Sequence, residues 1–235
     1  SAGHDTQFAL FGSGAGMNQP VLSSGTWEIL MARTAQVDTA SLSGFAESTC
    51  ELDSASGLYN PGLQWLASGV LEWVKETCWK GANPGEVYAQ MIAEANAVAP
   101  GCDGVKMVPD LLVGGGGVGG GAFSGLSINT SRGHLYRATL EALSAKLAHQ
   151  LHELERICGF TAEELILVGG GSKNRLWNQI KADALKIPVR VVAENEMTVL
   201  GAALYGFCGL GYFPSPEAAS AAVQYDYQIF NPTPA

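Results

Sequence analysis

Residues 165–180 read LILVGGGSKNRLWNQI, and no other stretch of the chain restricts its fold so tightly. Four aliphatic residues in a row suit a strand buried on both faces, three glycines interrupt them, and Leu176, Trp177 and Ile180 then recur at helical spacing. The spacing predicts a strand over 165–168 and a helix over 174–184, followed by a second strand, VRVV, and a small-residue helix over 198–206. Strand, helix, strand, helix is the pattern of an α/β layer. A glycine turn between strand and helix presents backbone N–H groups at the positive helix end, a setting that suits a nucleotide. Two common nucleotide fingerprints are absent. A P-loop needs Lys and then Ser or Thr after its last glycine, and the dinucleotide turn needs glycine where Asn174 stands.

The remaining segments extend this layer. Residues 8–32 read as a hairpin-rich sheet opening, with FALFGSG and PVLSSGTWEILMA flanking a Gly/Asn/Pro turn. Leu63, Leu66, Val70, Leu71 and Val74 have the spacing of an amphipathic helix over 61–79 with Pro61 in its first turn, and a second helix is expected over 84–97. VGGGGVGGGAFSG, at 113–125, is too rich in glycine for regular structure and reads as a mobile loop. A leucine stripe from Leu135 to Leu154 predicts the longest helix, starting near Ser131 and stopped by Gly159. The expectation is one α/β domain whose sheet begins antiparallel and becomes parallel.

Composition narrows the partners. A chain of 235 residues that is 47% hydrophobic can bury a sizeable core. A net charge of −9 with 13 Lys plus Arg argues against a nucleic-acid surface and favours a small molecule. The five cysteines, at 50, 78, 102, 158 and 208, lack C-x-x-C spacing and read as reduced, mostly buried thiols of a cytoplasmic protein. No apolar run approaches the roughly 18 residues of a membrane helix, and the N-terminus lacks a signal-peptide layout.

The segment GAFSGLSINTSRGHLYRATLE, residues 121–141, resembles the C-terminal signature of the FGGY carbohydrate kinases. Gly121, Phe123, Gly125 and Leu126 precede a seven-residue gap, after which His134, Leu135, Ala138, Thr139, Leu140 and Glu141 follow. GHDTQ near the start, SSGTW at 23–27, VGGGSKN at 168–174 and GAALYG at 201–206 stand in the order of that family's C-terminal half. The resemblance implies the ribonuclease-H-like α/β fold shared with actin and Hsp70, a mixed sheet flanked by helices. It also implies that residues 1–235 are a single C-terminal, nucleotide-binding lobe whose N-terminal lobe is absent from this chain. The expected partners are ATP, Mg²⁺, a small sugar and that missing lobe, with no nucleic acid and no membrane.

Roles carried over from the family fall on particular residues. Asp5, in GHDT, matches the base that takes the proton from the sugar hydroxyl, the one proton-transfer role phosphoryl transfer requires of a side chain. Gly25 and Thr26 match a turn against the β- and γ-phosphates. Gln64 matches a nucleotide-contacting glutamine of some members, although Asn60 stands where those members have glycine. Gly170 and Gly171 would form a bare backbone platform for adenosine, and Asn174 would hydrogen-bond it. On residues alone, the same turn serves any α/β protein with Ser172 capping the helix. His149 and His152 read as solvated helix surface, and Glu141 as a packing or hydrogen-bonding residue. Residues 114–121 depart from the charged segment commoner in the family. The implied activity is phosphorylation of a ketose; the alternative is a non-catalytic, actin-like module that uses ATP as a switch.

Overall fold

The computed structural model describes residues 4–112, 119–193 and 196–234. Seven strands form one mixed sheet: β1 (Val21–Ser24), β2 (Trp27–Met31), β3 (Ser48–Leu52), β4 (Tyr59–Leu66), β7 (Leu165–Val168), β8 (Val189–Val192) and β9 (Tyr227–Phe230). Their spatial order is β3-β4-β2-β1-β7-β8-β9. The first four strands pair antiparallel, β1 pairs parallel with β7 and β7 with β8, and β9 returns antiparallel. β1 is therefore the seam between two kinds of sheet, as expected from the sequence. A separate ribbon joins β5 (Lys106–Val108) to β6 (Ala122–Ser124).

Helices cover both faces. α3 (Ser68–Cys78), α5 (Arg132–Cys158) and α6 (Arg175–Leu185) pack on one face, through Leu22, Leu30, Leu63, Leu143, Leu167 and Ile180 among others. α4 (Val87–Asn96) adds Val87, Met91 and Ala95 to that cluster. On the other face, α1 (Asp5–Gly12) and α7 (Met197–Gly209) bring Leu10 and Met197 onto Val21, Met31, Ile166 and Val168. The short helix α2 (Thr39–Leu42) adds Leu42 to the first cluster, and α8 (Pro216–Ala221) packs beside α7.

Three expectations are corrected here. The stretch FALFGSG lies largely in α1, where the His4 and Gln7 side chains close a capping box and the backbone meets α7 directly. A Cβ on Gly12 would stand 2.1 Å from the Met197 carbonyl, and one on Gly201 2.0 Å from the Phe8 carbonyl, so this contact selects glycine on both helices. Residues 61–66 belong to strand β4, not to a helix over 61–79. Leu63 and Trp65 alternate inward there while β2 and β3 occupy both edges, and the helix begins only at Ser68. Part of the glycine-rich segment is ordered as β6, because Ala122–Ser124 completes the ribbon with β5; residues 113–118 lie outside the described residues.

Other expectations agree closely. α5 starts after the Ser131 N-cap and ends at Gly159, whose φ of 69° is the left-handed C-cap that glycine adopts without strain. Strand β7 occupies the expected residues and α6 is displaced by one. α4 is shorter than 84–97, and α7 extends past 206. Cys102 and Cys158 are buried, Cys78 and Cys208 half-buried, and Cys50 exposed, with all five thiols free. Among the described residues, no helix is long and apolar enough to cross a membrane.

Candidate nucleotide site

After β7 the chain passes Gly169 at φ 90°, makes a 3₁₀ turn over Gly170–Lys173, and enters α6. The Asn174 Oδ1 accepts the Trp177 backbone N–H at 3.1 Å, so Asn174 is the helix cap in place of Ser172. The Ser172 hydroxyl instead donates to the Gly169 carbonyl at 2.7 Å and locks the turn.

This turn borders a cavity of about 400 Å³ closed by α3, α4, α5 and α6. Gly170, Gly171 and Asn174, three of the residues named from sequence, line it together. Leu71, Ile92 and Trp177 supply apolar wall, while Glu72, Tyr88 and Lys173 supply polar groups. Such a mixture, largely apolar with a few converging polar atoms, suits a small-molecule ligand. A Cβ on Gly170 would meet nothing within 4 Å, so this backbone faces open space. At Gly171 the reason for glycine is different: a Cβ would stand 2.2 Å from the Ser24 Oγ. The Asn174 Nδ2 donates to the Tyr136 hydroxyl at 3.2 Å, so both ends of this amide already have protein partners. Burial holds the Tyr136 phenol well above its ordinary range, which keeps it neutral. The buried indole N–H of Trp177 has no hydrogen-bond partner among the described residues.

The β1–β2 hairpin turn adjoins the cavity without lining it. The Gly25 N–H is used on the Trp27 carbonyl at 3.0 Å, and the Gly25 carbonyl accepts the N–H of Ser68, a cavity residue, at 3.3 Å. The Thr26 carbonyl accepts the N–H groups of Ala67 and Gly69. Exposed Thr26 keeps its own N–H and hydroxyl free of hydrogen bonds among the described residues. Of the two phosphate-turn residues named from sequence, Thr26 is therefore the one with donors to offer.

Two candidates lie elsewhere. Gln64 pairs with Ile29 in the β-ladder and so occupies the α1 face, opposite the cavity. Its backbone N–H donates to the Glu47 carbonyl. Asp5 starts α1 on that same face, with its side chain 73% exposed and its Oδ1 2.8 Å from the His4 Nδ1. The Asp5 Oδ1 also accepts the Thr6 backbone N–H, which aims the carboxylate at the positive end of the helix.

Sequence reasoning missed Glu72, Tyr88, Tyr136, Lys173 and Trp177 as cavity residues. Lys173 stood inside the glycine motif and Tyr136 inside the 121–141 signature, so a signal existed for these two. Glu72 and Tyr88 come from helices whose meeting across the cavity no local pattern announces.

Residues 21–210 match the model of the FGGY family of carbohydrate kinases, C-terminal domain. The chain is 59% identical over 232 residues to L-fuculokinase of Escherichia coli K12, covering 99% of this chain and 48% of that protein. It is 44% identical to L-fuculokinase of Haemophilus influenzae, covering 95% of this chain and 47% of that one. The chain thus spans about half the length of the curated relatives it matches. Among solved structures, xylulose kinase from Rhodospirillum rubrum superposes with a TM-score of 0.81 at 25% identity, over 98% of this chain and 46% of that one. Plasmodium falciparum glycerol kinase, solved with ADP, gives 0.78 at 19% identity over 97% and 46%.

Proposed function

Because the chain belongs to the FGGY family of carbohydrate kinases, we propose that it is the nucleotide-binding, C-terminal lobe of an ATP-dependent ketose kinase acting on L-fuculose to give L-fuculose 1-phosphate. The observation that carries this reading is the cavity behind Gly170, where exposed backbone and an apolar wall meet a few polar side chains in a space of nucleoside size. The sugar assignment rests on similarity to the L-fuculokinases.

In this reading, adenosine lies against Gly170 between Leu71 and Trp177, and the phosphates run toward the Thr26 turn. Thr26 offers its N–H and hydroxyl there, and Lys173 at the cavity mouth adds a positive charge. Mg²⁺ carried by the phosphates would neutralise charge that develops on them. Asp5 takes the proton from the sugar hydroxyl as the phosphoryl group arrives. Gln64, on the opposite sheet face, has no place in the adenosine contact; its face is shared with the helix that begins at Asp5. An upstream lobe would close over the sugar and exclude water. The protein would work in the cytoplasm on free nucleotide and free sugar.

A coupled ADP-release assay on the full reading frame that encodes this chain tests the proposal, with L-fuculose, L-rhamnulose and L-xylulose in competition. Preferential turnover of L-fuculose is the expected outcome. Preference for L-rhamnulose would move the assignment to a neighbouring sugar kinase. Nucleotide binding without turnover of any sugar would favour the switch-like module.

A further inference from the structure

Beneath the two turns of the nucleotide site lies an ion pair with no contact to solvent. Lys181 on α6 and Glu28 on β2 are both 0% exposed, and the Lys181 Nζ is 2.6 Å from the Glu28 Oε1. The same Oε1 accepts the Ser24 hydroxyl at 3.0 Å, while the Glu28 Oε2 accepts the Trp65 indole N–H at 3.2 Å. The Lys181 Nζ also lies 3.4 Å from the Ser24 Oγ and 3.4 Å from the ring centroid of Trp177, which walls the cavity. Burial holds the Lys181 pKa below its ordinary value, with Glu28 the opposing influence that raises it.

Stability alone gives little reason for such a pair. Taking two charges out of water costs about as much as their attraction returns, and apolar replacements of similar volume are commonly neutral or better. What the pair does hold is Ser24. That residue sits immediately before the Gly25–Thr26 turn, and it also touches the other turn of the site. A Cβ on Gly171 would strike its Oγ at 2.2 Å, and one on Gly169 would stand 2.7 Å from its carbonyl. Ser24 is thus the spacer between the adenosine platform and the phosphate turn, and its hydroxyl is fixed by Glu28.

We infer that Lys181 and Glu28 are positioning residues that set the separation and angle between the adenosine platform at Gly170–Gly171 and the phosphate turn at Gly25–Thr26, acting through Ser24. The inference rests on the nucleotide reading above and deepens it. Neither side chain touches ligand. The pair matters most to a ligand long enough to span both turns: ATP feels the spacing as well as the Trp177 wall, whereas adenosine feels the wall alone.

The test uses the protein expressed from the full reading frame, with Kd for ATP and for adenosine measured by calorimetry. In the Glu28→Leu/Lys181→Met double variant, melting should stay within about 5 °C of the parent, because both charges leave together. The ratio of adenosine Kd to ATP Kd should nevertheless fall about tenfold, the scale on which sub-ångström misplacement of a binding group is felt. A folded double variant with the parent ratio would overturn the inference. Should the double variant not fold, Ser24→Ala removes the spacer hydroxyl and leaves the ion pair in place. It should lower the same ratio at least about threefold, and an unchanged ratio there would overturn the inference equally. A parent protein that binds neither ligand would instead remove the nucleotide reading on which the inference stands.

Discussion

Gly170 and Gly171 are neighbours of one type held as glycine for different reasons. Gly170 faces open cavity, so Gly170→Val should fold normally while its branched side chain occupies the face proposed for adenine. ATP affinity is expected to fall by at least about tenfold with melting unchanged, which calorimetry and a thermal melt together would show. Gly171 is pressed against Ser24, and Gly171→Ala should cost about 1–3 kcal/mol of stability through overpacking, visible as a lower urea midpoint. Exchange of these two phenotypes would contradict the geometry described for the turn. Asp5, exposed and outside the core, makes the opposite prediction to a packing residue. In the full reading frame, Asp5→Asn should leave melting and nucleotide affinity nearly unaltered and lower kcat by roughly 10²–10⁴-fold, because the amide cannot take a proton. Near-parental turnover would remove Asp5 from the base role.

Helix α6 shows how an element's end can serve both fold and site. Its Asn174 cap holds the Trp177 N–H with one atom and the Tyr136 hydroxyl with the other, joining the first turn of α6 to α5 across the cavity floor. Asn174→Ala should lose about 1 kcal/mol from the cap, measured by chemical denaturation, and should also release Tyr136. α5, β7, α6 and β8 were legible in the sequence because each carries its own period and its own stop signal, as at Ser131 and Gly159. α1 and β4 were not, since short apolar runs suit either state and their neighbours decided: α7 through Gly12 and Gly201, and β2 and β3 around Leu63 and Trp65. The site divides along the same line. Its glycine turn was readable from one segment, whereas Glu72 and Tyr88 reach the cavity only through tertiary packing.

At the scale of the molecule, one polar hub ties the far sheet edge to the C-terminal region. The Arg33 guanidinium donates twice to Asp53, at 2.8 Å each, and once to Glu217 of α8 at 2.7 Å. Burial tends to raise the Asp53 pKa, but Arg33, the Ala55 N–H and the Asn60 amide outweigh it and hold the carboxyl below its ordinary value. A carboxylate depressed in the folded state contributes stability above its unfolded pKa, near 3.9, and loses that contribution as pH falls through its folded pKa. In thermal melts this contribution should therefore be constant from pH 7 to about pH 5 and decline as the pH is taken on toward 3 and below. Asp53→Asn should be about 2–4 kcal/mol less stable at pH 7, with a shallower decline toward pH 3. Equal slopes would exclude Asp53 as a source of acid sensitivity.

The seam strand β1 has a consequence in time. Val21 meets Met31 across a tight hairpin but meets Ile166 across most of the chain, and both turns of the proposed nucleotide site hang on that second, remote pairing. Closing so long a loop is slow relative to forming the hairpin. The hairpin, with Thr26 at its tip, can form early, while its distance from Gly170 is defined only once β7 has docked. Nucleotide competence is accordingly a clock for the end of folding: after dilution from denaturant, helical signal should recover first, and binding of a fluorescent ATP analogue should return with the slowest phase.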